Sequence, residues 1–221
     1  MGNFQIVRAM AKRACFRALP VAGGTDARAG EPVDTSIAYF DRCGKSNTPR
    51  VLELVAERAA ALGIRNVVIP SVTGASGLLA CDRLEGLRVV IVTQSTGFSG
   101  PGRQEMSPEV LEELKTRGAS VYRGTHTFGG VGRAVRRKFA TYQVEEIIAQ
   151  TLKRFGEGTK VAVEISLAAS DAGLISPDSE VISCGGSGRG LDTALVLRPA
   201  HAQDFFDLEI LEIICKPRSA G

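Results

Sequence analysis

Five small residues in the stretch VVIPSVTGASGLLA carry the clearest chemical signal in this 221-residue sequence: Ser71, Thr73, Gly74, Ala75 and Ser76. They lie between an apolar run and a helix-like segment. At such a junction hydroxyls and backbone amides are hydrogen-bond donors, a glycine lets the chain turn around an anion, and the helix N-terminus adds positive partial charge. That combination suits a phosphate group. The same residues also fit a plain strand-to-helix turn capped by Ser76.

Other candidates are weaker one at a time. Gly44-Lys45-Ser46 ends like a P-loop, but the full pattern requires a glycine where this chain has Tyr39, so nucleoside triphosphate hydrolysis is not expected. Lys45 and Asn47 stay as candidates for ligand contact. The run GGSGRGLD (residues 185–192) does not fit G-x-G-x-x-G, and neither does any other stretch, so a dinucleotide fingerprint is absent. It reads either as a flexible connection or as a site with backbone donors and the planar guanidinium of Arg189. His126 follows an apolar run and precedes a glycine cluster, while His201 lies near Asp204 and Asp207. Each fits an acid–base group or a satisfied polar residue, with no Ser-His-Asp or Cys-His order to support catalysis. Glu164 and Asp171 are candidates for a hydroxyl-bearing ligand or a metal, or else hydrogen-bond anchors. Arg133, Arg136, Arg137 and Lys138 form a basic run on a helix, read as a solvated or interface face.

These residues need elements to position them. From residue 36 short apolar runs alternate with helical patterns, which predicts a mostly parallel sheet covered on both faces. Strands are expected at 36–40, 67–69, 88–93, 119–123, 160–165, 180–183, 193–198 and 209–215. Helices are expected at about 49–62 with Thr48 as N-cap, 76–83, 108–117, and from Val144 to Phe155; the segment THTFGGVGRAVRRKF is expected to be irregular. Loops that follow strand C-terminal ends share one edge of such a sheet, where ligands bind. Five of them are rich in Gly, Ser and Thr: DRCGKSNT, PSVTGASG, TQSTGFSG, GTHTFGG and CGGSGRG.

Composition removes several classes of function. No apolar run approaches the ~20 residues that cross a bilayer, so no membrane partner is expected. The chain carries 27 basic and 24 acidic residues, but residues 1–30 alone hold five basic residues against Asp26. Residues 31–221 then hold 22 basic and 23 acidic residues, and a nearly neutral domain argues against nucleic acid as a partner. The basic start (1–34) reads as an extension outside the fold, either presequence-like or a plain disordered tail. Five widely spaced cysteines give no metal or disulfide framework, and no metal is expected. Reduced thiols fit a cytoplasmic protein; an organellar location stays open through the presequence-like segment.

Taken together, YFDRCGKSNT, VVIPSVTGASG, VVIVTQSTGFSGPG, THTFGGVGRAVRRK, VAVEISLAASDAGLI, GGSGRGLDTALVLRPAH and FFDLEILEIICKPR resemble a family of stand-alone proteins similar to the pyruvate kinase C-terminal α/β domain. The resemblance runs from about Ile37 to Arg218. It implies a three-layer α/β/α sandwich and flavin mononucleotide (FMN) as cofactor, with Ser71–Ser76 as phosphate donor. It also places Thr93, Gly97, His126, Gly185, Gly186 and Arg189 near the flavin. Kinase activity is not expected, because that chemistry belongs to a separate β/α barrel of ~250 residues.

The leading expectation is an FMN-binding protein, with a flavin-dependent oxidoreductase of unspecified substrate as its enzymatic form. A second is a non-catalytic sensor of a phosphorylated metabolite. A third is a phosphate-ester hydrolase or transferase using His126 or Asp171. Apolar residues near the C-terminal strand are compatible with a homo-oligomer.

Overall fold

Runs of β-branched residues build the sheet. The computed structural model describes residues 34–219, so the basic extension up to residue 33, with Cys15, lies outside the described residues. Ser36–Gly221 form one compact unit. Its strands are β1 (Ala38–Phe40), β2 (Asn66–Pro70), β3 (Arg88–Gln94), β4 (Ser120–Gly124), β5 (Val181–Gly185), β6 (Thr193–Arg198) and β7 (Glu209–Pro217). They form one sheet in the order β1-β7-β6-β5-β2-β3-β4. Only β6 runs against the others, pairing antiparallel with β5 and β7. The C-terminal ends of β1 to β5 therefore share one edge.

Val67, Val68 and Ile69 of β2 are fully buried, as a strand covered on both faces must be. Val67 and Ile69 pack with Val51, Leu52, Val55, Ala80 and Leu114. Val68 packs on the opposite side with Val163, Leu167 and Ala169. One outer layer thus holds α1 (Thr48–Leu62), α2 (Ala75–Arg83) and α3 (Pro108–Thr116). The other holds α6 (Glu157–Asp171) with the inner side of α5 (Val144–Leu152). This is the expected α/β/α sandwich. Helix α4 (Gly130–Phe139) carries no buried residue.

Helix α1 forms because Val51, Leu52, Val55 and Ala59 recur on one face. Each buried Val or Leu contributes roughly 1.5–3 kcal/mol. Gly63 ends the helix at φ 69°, a left-handed turn, and its N–H donates to the Ala59 carbonyl. Leu62, the last residue of α1, is 39% exposed.

Three local expectations are corrected. Thr48 does not cap α1: a 3-10 turn over Lys45–Asn47 runs directly into the helix, and the Thr48 hydroxyl accepts the Leu191 N–H at 2.9 Å. Residues 160–165 are helical, inside α6, rather than a strand. That helix is buried on nearly all sides from Gly158 to Ser170, so its sequence shows no polar face and its apolar run mimics a strand. Finally, the segment after β4 is not irregular throughout, since α4 begins at Gly130.

Cys184 on β5 and Cys215 on β7 flank Ala194 of β6. Burial pushes the Cys184 thiol well above its usual range and raises Cys215 to about 12, so both pack as neutral side chains.

Candidate functional site

The loops at the C-terminal edge of the sheet enclose a cavity of about 990 Å³. Ligand pockets are typically ~300–1,000 Å³. Its base is the β2–α2 loop, anchored at both ends. The Ser71 amide donates to the Val92 carbonyl at 3.0 Å, and the Ser71 hydroxyl accepts the Gly77 N–H at 3.2 Å. The Thr93 hydroxyl donates to the Val72 carbonyl at 3.2 Å. Gly74 sits at φ 95°, and a Cβ there would meet Val110 at 2.1 Å, so only glycine fits the turn. The result is a helix start with an exposed Thr73, a half-buried Ser76, and amides from Thr73 to Ser76 that have no acceptor among the described residues. Such a nest of donors holds an oxyanion.

A second wall comes from the loops after β1 and β5, and Asp192 clasps them together. Its Oδ2 accepts the N–H groups of Gly44 and Ser187, both at 2.9 Å, and its Oδ1 accepts the Thr193 hydroxyl at 2.9 Å. Asp192 is fully buried. A Cβ on Gly190 would lie 2.3 Å from the Lys45 Cα, which shows how closely the loops approach. Lys45, Gly186 and Arg189 thereby reach one cavity.

The third wall is aromatic and basic. The rings of Phe98 and His126 lie 4.8 Å apart, and the Arg133 guanidinium stands 4.8 Å over Phe98. Burial holds the His126 imidazole below its ordinary pKa; Glu164 opposes this, and Lys160 and Arg133 reinforce it. His126 is therefore neutral at neutral pH. From α6, Lys160 and Glu164 form an i,i+4 ion pair at 2.5 Å, and the second Glu164 oxygen accepts the Phe128 N–H at 3.0 Å. That pair neutralises itself. The positive charge offered to a ligand comes from Lys45, Arg133 and Arg189.

Of the residues singled out by sequence, Ser71, Thr73, Ala75, Ser76, Thr93, His126, Gly186, Arg189, Lys45 and Glu164 line the cavity, and so does Arg133, which was expected on a solvated or interface face. Four others do not. Asn47 donates to the Arg42 carbonyl at 2.7 Å, Gly74 is buried beneath its loop, and Gly97 donates to the Arg103 carbonyl at 2.8 Å within a turn. Gly185 faces α6, where a Cβ would lie 1.9 Å from the Gly158 carbonyl oxygen. Asp171 and His201 sit together away from the cavity, with Nδ1 of His201 3.5 Å from Asp171 and 3.3 Å from the Ser170 hydroxyl. Both partners share one ring nitrogen, so this is not a relay of the kind that activates a serine.

Sequence reasoning missed Asp192, Phe98, Glu105 and Lys160. Only the Lys160–Glu164 spacing carried a signal, and it is readable only once 157–171 is known to be helical. Among the described residues no cluster of three or more His, Cys, Asp or Glu side chains is placed to hold a metal. No described helix is long and apolar enough to cross a membrane.

The mostly parallel sheet between two helical layers, with glycine-rich loops along one edge, defines a three-layer α/β domain. The sequence matches the family described as pyruvate kinase, alpha/beta domain, over residues 50–197, and the chain belongs to that family. Among solved structures, a pyruvate kinase from Cryptosporidium parvum is similar at 17% identity with a TM-score of 0.35, over 68% of this chain and 23% of that one. A mutant of O-ureido-L-serine synthase with O-ureido-L-serine bound is similar at 16% identity with a TM-score of 0.26, over 61% of this chain and 49% of the other. The chain thus spans less than a quarter of the length of that pyruvate kinase.

Proposed function

We propose that this protein binds FMN, with the phosphate on the Ser71–Ser76 loop and the ring system toward Phe98 and His126. The observation that carries the reading is the meeting, in one cavity of about 990 Å³, of a donor-rich helix start with an aromatic wall. The donor set fits the cofactor. The amides of Thr73 to Ser76 suit a phosphate dianion, and Lys45 and Arg189 on the facing loops add charge. The apolar side chains of Val72, Leu79, Val92 and Ile165 supply surface for a flat ring.

Bound FMN would supply one- and two-electron chemistry, which defines a flavin-dependent oxidoreductase as the catalytic form of this proposal. The chain's own contribution is to anchor the phosphate, orient the ring and exclude water from one side of it. His126, neutral at neutral pH, accepts a hydrogen bond or takes a proton at a ring nitrogen without adding positive charge beside the ligand.

One observation favours a second reading. Lys45, Arg133 and Arg189 together offer more positive charge than one phosphate monoester needs, which suits a sugar carrying two phosphates and a sensor rather than a catalyst. Mass spectrometry of the small molecule released on denaturation separates the two, backed by titration of the ligand-free protein with FMN and with fructose 1,6-bisphosphate. FMN in the supernatant and saturable FMN binding support the first reading. A colourless protein stabilised only by the bisphosphate replaces it with the second.

A further inference from the structure

The loop that joins β3 to α3 contains a carboxylate with only one of its two oxygens partnered. One oxygen of Glu105, Oε2, is buried and has no hydrogen-bond partner among the described residues. The other, Oε1, accepts the Ser99 hydroxyl across the loop. Glu105 lines the same cavity as the phosphate loop, yet it is ion-paired with none of the cations there. Its backbone is held on both sides. Gln104 donates from Nε2 to the Gln94 carbonyl at 3.1 Å and accepts the Met106 N–H at 3.3 Å, while the Met106 side chain is 1% exposed in the core. These contacts fix the loop on either side of the half-buried Glu105.

A buried carboxylate oxygen without a donor is costly, and native proteins keep such groups where something else satisfies them. We infer that Glu105 is the specificity residue of this site, accepting a hydrogen bond from an N–H or O–H of the bound ligand. The inference rests on the proposed ligand-binding reading and adds to it. A phosphate would be repelled by Glu105, so the carboxylate fixes which end of the ligand faces which loop: phosphate toward Ser71–Ser76, donor-bearing portion toward the β3–α3 loop. It also predicts discrimination, because a ligand lacking the donor leaves Oε2 stranded while still blocking water.

The test uses the full-length chain and the variants Glu105→Gln and Glu105→Met, with FMN, N3-methyl-FMN, ribose 5-phosphate and inorganic phosphate as probes. Wild type is expected to bind FMN or ribose 5-phosphate about 10- to 100-fold more tightly than either variant, the range implied by a hydrogen bond to a charged acceptor. Inorganic phosphate, which reaches only the helix start, should bind all three proteins equally. N3-methyl-FMN identifies the source: a loss matching that of the variants assigns the donor to the ring imide, and unchanged binding assigns it to a hydroxyl. The ligand-free variants should melt at a higher temperature than wild type, because a buried acceptor atom without a donor has been removed. Variants that melt lower, or that bind FMN and ribose 5-phosphate as tightly as wild type, overturn the inference. If wild type binds none of the four probes, the proposed function falls, and the ligand-free melting temperatures still decide whether Glu105 is an unsatisfied acceptor.

Discussion

Removing the Asp192 carboxylate should separate the two loops that carry Lys45 and Arg189. Its Oδ2 alone accepts two amides from opposite loops, and those donors have no other acceptor among the described residues. Hydrogen bonds to a charged group contribute about 1.5–3 kcal/mol each, and both amides here are part-buried. Counting the two amides and not the Thr193 hydroxyl, which can rotate, Asp192→Ala is expected to destabilise the domain by about 3–6 kcal/mol. Against a typical stability of ~5–15 kcal/mol that is a large fraction. Asp192→Asn keeps one oxygen for both amides and turns its own amide toward Thr193, so it should cost only about 1–2 kcal/mol. Urea denaturation of the three proteins measures this directly. In Asp192→Asn, which remains folded, amide exchange should quicken at Gly44 and Ser187 before it does in the central strands. An Asp192→Ala protein within about 1 kcal/mol of wild type, or an Asn variant as unstable as the Ala variant, would mean that Asp192 does not hold the two loops together.

Two further outcomes follow from the same structure. His126 has a folded pKa below that of the unfolded chain, so the unfolded state takes up the proton first and stability falls as pH drops below about 6.5. The slope should vanish in His126→Gln, and the His126 imidazole should titrate below the ordinary histidine range in an NMR experiment; a midpoint above it would contradict the burial argument. Gly185→Ala would push a methyl group into the Gly158 backbone, prising α6 from β5, and should cost about 3 kcal/mol in denaturant melts, whereas an unchanged midpoint would mean that the contact is looser than described.

How far the sequence could be read follows from where each signal resides. Strands β2 and β3 were legible because continuous β-branched runs between turn residues arise in few other contexts. Helix α6 was not. Ala162, Val163, Ile165, Leu167 and Ala169 are all buried, and a helix enclosed on every side loses the 3.6-residue stripe that betrays its partners. The Ser71–Ser76 loop could be placed beside the cavity because its geometry is local: Gly74 turns the chain and the next residues start the helix. Phe98, Asp192 and Glu105 could not, since each acquires its role from loops distant in sequence that the sheet brings to one edge. Conversely Asn47, singled out beside the P-loop remnant, and Gly97 and Gly185, placed by the family resemblance, serve a turn, a turn and a helix–strand contact respectively.

In the proposed FMN complex the amides from Thr73 to Ser76 hold the phosphate. The most direct measurement is an amide ¹⁵N–¹H spectrum of the ligand-free protein titrated with FMN. Saturable shifts at Thr73, Gly74, Ala75 and Ser76, accompanied by ring-current shifts at Phe98 and His126, are the predicted result. A spectrum in which those four amides stay in place at saturating FMN would contradict it.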